Sequence, residues 1–224
     1  MHMMFRNLFI ILFFFIFASC RIDFIGDLYT SDLKDLANNK EDKVFNLPME
    51  ISFQVAACED LGQVNRIIST YFMEYKNTGC SVGDDYMSYT VAQVSVPVVN
   101  NHKLFDVTGN SLIGFVSYLS DDGKKIYVDA IINSNLYESL KDYVYSETFS
   151  ELSLSESNLA VKLNNDLDFS NISIPPSFVD GQPIVFEENY EMERRDLLTI
   201  KVSNVNTLYL EDNMWTPIFS MGNE

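Results

Sequence analysis

An α+β fold is what this chain predicts, a mainly antiparallel sheet with two helices on one face. Three observations lead there. Asp121-Asp122-Gly123-Lys124 separates two apolar runs, Ile113 to Leu119 and Lys125 to Ile132, and its composition suits a tight hairpin because Asp and Gly tolerate positive φ. Two other stretches carry apolar residues at three- and four-residue steps: Leu61, Val64, Ile67, Ile68, Tyr71, Phe72 and Tyr75, then Leu136, Leu140, Tyr143 and Val144. The resulting order from Met49 to Leu163 is strand, helix, strand, hairpin pair, helix, strand, which matches a split βαβ arrangement followed by extra C-terminal strands.

Each element has its own reason. Met49 to Ala57 alternates Ile51, Phe53 and Val55 with polar neighbours, as a half-buried strand should. The first helix spans 59–76, with Glu59 and Asp60 in its positive first turn and Gly79 reversing the chain after it. Tyr86 to Val99 is a long β stretch that Pro97 marks as an edge or a strand end. Ser134 opens the second helix, which runs to about Phe149, and Leu159, Val161 and Leu163 alternate as a strand. After the breaks at Pro175-Pro176 and Asp180-Gly181-Gln182-Pro183, a final β region takes in Ile184 to Phe186, Leu197 to Val202 and Thr207 to Leu210.

Ahead of these elements, the N-terminus has the layout of an export signal. Arg6 precedes an unbroken apolar run from Leu8 to Phe17, and the small pair Ala18 and Ser19 leads to Cys20. So short a run is a poor permanent span, which needs about 20 apolar residues. Phe17-Ala18-Ser19-Cys20 resembles the lipobox of bacterial lipoproteins, with Phe17 in place of the usual Leu. That resemblance implies cleavage before Cys20 and a diacylglyceryl, palmitate-type modification of its sulfur; an ordinary cleaved secretory signal is the alternative. In enteric-type sorting, Arg21 after the lipid-bearing cysteine implies the outer membrane. The expected organisation is a signal peptide over 1–19, a tether over 20–47 and one α+β domain over 48–224, in which Ser31 caps a helical turn through Asp32, Leu33 and Leu36.

With Cys20 committed to lipid, Cys58 and Cys80 form an even pair, which in an oxidising envelope suggests a disulfide; two separately buried thiols are the competing reading.

Composition narrows the function. Thirty-two acids against fifteen bases give a net charge of -17, and removing residues 1–19, which hold Arg6 and no acid, makes the chain one unit more acidic. Such a field disfavours nucleic acid and anionic lipid as partners. No G-x-S-x-G, CxxC or phosphate-cradling glycine loop occurs, and His102, in the polar run Asn100 to Lys103, is the single histidine after residue 19. Asp84-Asp85, Asp121-Asp122 and Glu187-Glu188 lack the spacing of a calcium loop. No catalytic residue, metal site or cofactor is therefore predicted. Trp215, near the C-terminus beside Pro217, is the candidate contact with a partner.

Arg21-Ile22-Asp23-Phe24-Ile25-Gly26-Asp27-Leu28-Tyr29-Thr30-Ser31-Asp32-Leu33-Lys34-Asp35-Leu36, with Leu163 to Leu167 and Val202 to Val205, resembles lipoproteins of enteric-type bacteria and their phages or prophages. The resemblance implies an envelope lipoprotein and no particular activity. The expected function is an acidic, non-catalytic interaction domain held at the membrane by lipid on Cys20, with an envelope protein or glycan as partner. The alternatives are a carboxylate-dependent, glycan-hydrolase-like enzyme and a purely structural envelope component.

Overall fold

The computed structural model describes residues 21–222 except 56, 59–60, 84–85, 109–110 and 149–150. Among the described residues strands far outweigh helices, so the α+β expectation is corrected: the molecule is a predominantly β structure whose sheet nearly closes on itself as a barrel. Its strands are β1 (Ile22–Tyr29), β2 (Val44–Val55), β3 (Met73–Val82), β4 (Ser88–Val99), β5 (Ile113–Leu119), β6 (Lys125–Ile132), β7 (Leu159–Asn164), β8 (Phe169–Ile174), β9 (Ser177–Val179), β10 (Gln182–Ile184), β11 (Glu188–Glu193), β12 (Leu197–Val202) and β13 (Trp215–Gly222). Among the described residues five short helices accompany them: α1 (Thr30–Ala37), α2 (Gly62–Ile68), α3 (His102–Thr108), α4 (Ser134–Thr148) and α5 (Asn204–Asn213).

The sheet runs β10-β9-β12-β7-β1-β2-β4-β5-β6-β13-β8-β11, with β3 beside the first part of β4. Most neighbours are antiparallel, but β1 pairs parallel with β7, Phe24 opposite Leu159. Because the sheet curls, alternate residues of each strand turn into one enclosed core, as the alternating burial of β7 shows. Helices laid on one open face are not needed to bury it. The chief exception is the outer face of β4, β5 and β6, where α3 covers a second apolar cluster of Val99, Phe105, Val116 and Ile131. Gly114 lets Phe105 seat there, since a Cβ at that position would lie 2.3 Å from the phenyl ring.

The tether expected over 20–47 is corrected over residues 22–37. β1 is an inner strand between β2 and β7, and α1 turns inward from it to bury Leu33 and Leu36. Ser31 lies inside this helix, not at its cap. Tyr29 is the cap position and has no side-chain acceptor to offer; Asp166, from the loop after β7, accepts the Ser31 N–H and supplies what is missing. Beside it, buried Asn165 accepts from Thr30 and Ser170 and donates to the carbonyls of Met192 and Glu193, joining β7 to β11 across the barrel's seam.

Other differences share one cause, the pairing available to a segment. The helix expected over 59–76 is α2, which stops at Ile68; Met73 onward joins β4 as β3, and Gly79 sits at an irregularity inside that strand. Glu59 and Asp60 lie outside the described residues. Pro97 is neither at an edge nor at a strand end. It falls where the neighbour of β4 changes from β3, last paired at Ser95, to β5, first paired at Val98, so its missing N–H leaves no gap in a ladder. Thr207 to Leu210, expected as strand, belongs to α5, which Ser203 caps through the Asn206 N–H and Met214 ends in a left-handed conformation. Asn133 caps α4 by accepting from the Leu136 N–H.

Candidate functional site

One end of the barrel gathers the features that bear on function. Ile22 begins β1 there, and its N–H donates to Ser157 Oγ. Ser157 in turn reaches the Ser153 carbonyl, and Ser153 Oγ donates to Glu211 of α5 at 2.9 Å. Thr207 and Leu210 of α5 border, with Phe24, Ile113, Ile132, Leu154 and Leu159, an apolar void of about 10 Å³. The helix therefore closes the end of the barrel at which the chain enters β1.

Glu211 organises this end. Its Oε1 accepts the Tyr137 phenol at 2.7 Å, and its Oε2 accepts both Ser153 Oγ and the Leu154 N–H. Tyr137 is fully buried on α4. Burial pushes its phenol well above the ordinary value of 10.0, and the hydrogen bond to Glu211 adds to that. Next to this network opens a cleft of about 350 Å³, lined by Lys141, Asp142, Tyr145, Glu151, Leu152, Ser153 and Glu211. Its volume and mixed charge suit a small polar ligand or a side chain of a partner. The Lys141 ammonium lies 5.3 Å from the Tyr137 ring centre and 3.5 Å from Glu138.

A second polar cluster lies on the outer face under α3. Asp129, 2% exposed, accepts the Tyr118 hydroxyl at 3.0 Å, and His102 Nε2 is 3.6 Å from the same carboxylate oxygen. Tyr118 is raised above its ordinary value, first by burial and then by the charge of Asp129. His102 also meets the Tyr118 ring edge-on, with centroids 5.3 Å apart. It is the first residue of α3. Asp129 is thus a buried carboxylate that Tyr118 and His102 engage from the outer face.

The residues singled out in the sequence fall as follows. Phe17, Ala18, Ser19 and Cys20 lie outside the described residues, as do Asp84 and Asp85. Cys58 and Cys80 form a disulfide with Cα atoms 5.7 Å apart; it ties the segment after β2 to β3, where Cys80 faces Thr90 of β4. Trp215 opens β13 opposite Ile131 and packs edge-on against Tyr209 of α5, with centroids 5.6 Å apart. Among the described residues no three His, Cys, Asp or Glu side chains are grouped to hold a metal ion.

Glu211 and Tyr137 escape a reading of the sequence because they are 74 positions apart and neither sits in a motif. Asp129 does leave a signal. It is a lone acid in the apolar run Ile126 to Ile132, and a charge on such a strand requires partners.

Residues 25–224 match the family described as a domain of unknown function, DUF7424. The chain belongs to this family. The match starts inside β1, so the family's domain includes the strand expected to be tether. No curated protein and no solved structure matches the chain. No described helix is long and apolar enough to cross a membrane.

Proposed function

We propose that this protein is an envelope lipoprotein precursor, cleaved before Cys20 and diacylated on that sulfur, whose acidic β domain serves as a non-enzymatic binding module for an envelope protein or glycan. The observation that carries the reading is the apolar run Leu8 to Phe17 leading through Ala18 and Ser19 to Cys20, two residues before β1 begins. Two acyl chains hold a soluble body firmly where one holds it only marginally. Arg21 after the cysteine favours an outer-membrane address.

Binding is favoured over catalysis by the state of Glu211. Both of its oxygens are engaged by fixed donors, so it is poorly placed to shuttle a proton, while Lys141, Asp142 and Glu151 remain as polar contacts around the cleft. A carboxylate-dependent glycan hydrolase is the second reading, and the acids Asp142, Glu151 and Glu211 around one cleft are what favour it. Release of sugar from envelope glycan that stops in Glu151→Gln would establish that reading in place of the first.

The decisive experiment is the intact mass of membrane-extracted protein beside Cys20→Ser. Loss of residues 1–19 with a diacylglyceryl increment, and failure of the variant to mature, is the expected result. A variant that matures and fractionates with membranes as the wild type does overturns the anchor.

A further inference from the structure

We propose that the outward face of α5, with Trp215 and the adjoining Val185-Phe186 loop, is a membrane-contact face that rests in the interfacial layer of the bilayer holding the lipid of Cys20. The inference rests on the lipoprotein reading and adds to it an orientation and a set of contacts.

Chain length makes some contact unavoidable. From Cys20 to Ile22 the backbone spans at most about 7 Å when fully extended, and Ile22 is already hydrogen-bonded into the barrel. A lipid on Cys20 thus brings the end of the barrel that contains Ile22 down to the headgroups with no linker between. That end is the one α5 closes, joined to Ile22 through Ser157, Ser153 and Glu211.

The surface presented there carries several large apolar side chains among its polar ones. α5 turns Thr207 and Leu210 inward and leaves Val205 76% and Leu208 48% exposed, with Tyr209 and Trp215 beside them. Val185 and Phe186, 75% and 78% exposed, follow Ile184, which pairs with Ser177, itself opposite Val202 just before α5. Asn206 fixes this neighbourhood by donating to the Pro176 carbonyl. Six large apolar side chains on one rim are more than scattered surface residues need explain, and Trp and Tyr are the side chains that settle at a membrane interface. α5 has no Lys or Arg, its Glu211 is turned inward, and the exposed acids nearby, Asp212, Glu187 and Glu188, repel anionic lipid, so the contact relies on apolar area.

Trp215 is the chain's single tryptophan and reports on the face directly. Full-length protein, matured in its host, is extracted and reconstituted in phosphatidylcholine vesicles with and without bromine on the acyl chains. The expected result is a blue-shifted Trp215 emission, quenched at least twofold by brominated lipid and shielded from aqueous iodide. Val205→Glu with Leu208→Glu, both at exposed positions, should abolish that quenching while acylated mass and flotation with vesicles stay unchanged. Wild-type protein that is acylated and floats, yet keeps Trp215 open to iodide and blind to brominated lipid, overturns the proposal. So does shielding that depends on protein concentration and not on lipid, which would mean that the face pairs with a second copy. A mass without acyl groups instead sinks the anchor, so the two failures are read separately.

Discussion

The Tyr137 hydroxyl donates to Glu211 Oε1 across 2.7 Å, and this one bond joins α4 to α5 at the closed end of the barrel. Both helices are short, and neither is stabilised by its own length. Their positions depend on packing and on polar contacts such as this one. Tyr137→Phe keeps the buried ring and removes only the donor, leaving a partly buried carboxylate oxygen without it. The expected cost is about 1–2 kcal/mol in chemical denaturation. An unchanged midpoint would mean that Glu211 is held by Ser153 and Leu154 alone.

Tyr137 and Tyr118 also govern the alkaline limit of the fold. Burial, then Glu211 for the one and Asp129 for the other, raises both phenols above the ordinary 10.0. A group raised on folding stabilises the native state fully below its unfolded value, and that stability disappears as pH climbs toward the folded value. Stability should therefore hold to about pH 10 and fall above it. In a titration followed at 295 nm, a late group of tyrosinates should appear only together with loss of near-ultraviolet circular dichroism. Ionisation of all twelve tyrosines with the fold intact would contradict this.

Asp166 acts at the acid end. Burial pushes it up, but hydrogen bonds from Ser31 and Thr30 outweigh that and hold it below the ordinary 3.8. Its contribution is present above that value and lost as pH falls through the lower folded one. Asp166→Ala should cost about 1 kcal/mol at neutral pH, the usual worth of a helix cap. The gap between wild type and variant should narrow as pH falls below 3.8. A gap independent of pH would mean that packing, and not charge, accounts for the loss.

Gly114→Ala tests the outer cluster. The new methyl would meet the Phe105 ring at 2.3 Å and the Pro97 carbonyl oxygen at 2.9 Å, and the backbone atom cannot turn away. A loss of about 1–3 kcal/mol is expected, with α3 displaced and His102 drawn off Asp129. Thermal denaturation and the histidine ring resonances measure the two effects. If both match the wild type, Phe105 is not seated as described.

What could be read in the sequence was local. The β5–β6 hairpin, with Leu119 opposite Ile126, depends on four turn residues, and α4, read as opening at Ser134, depends on a periodic face. β7 was legible from its alternation alone. The apolar spacing from Leu61 to Tyr75 was ambiguous by nature: Tyr71, Phe72 and Tyr75 fit a helical face as well as the start of a strand, and pairing with β4 settled the matter. Exposed Val205, Leu208 and Tyr209 carried no strand signal that a helix face would lack. Of the candidate site, Trp215 stood out by type; Asp129 was passed over although its apolar neighbours mark it, and Glu211 had nothing nearby in the chain to mark it.

The sequence by itself determined the acidity, the apolar leader ending at Cys20, the even cysteine pair and the elements whose partners lie within a few residues, because turns, caps and periodic faces are set by neighbours along the chain. Only the tertiary structure decided that residues 22–37 are core, that the sheet curls until helices are not needed to cover it, and that Tyr137 meets Glu211. Parallel pairing of β1 with β7 joins residues 135 positions apart at Phe24 and Leu159, and contacts at that separation follow from how the whole sheet closes, which no local pattern encodes.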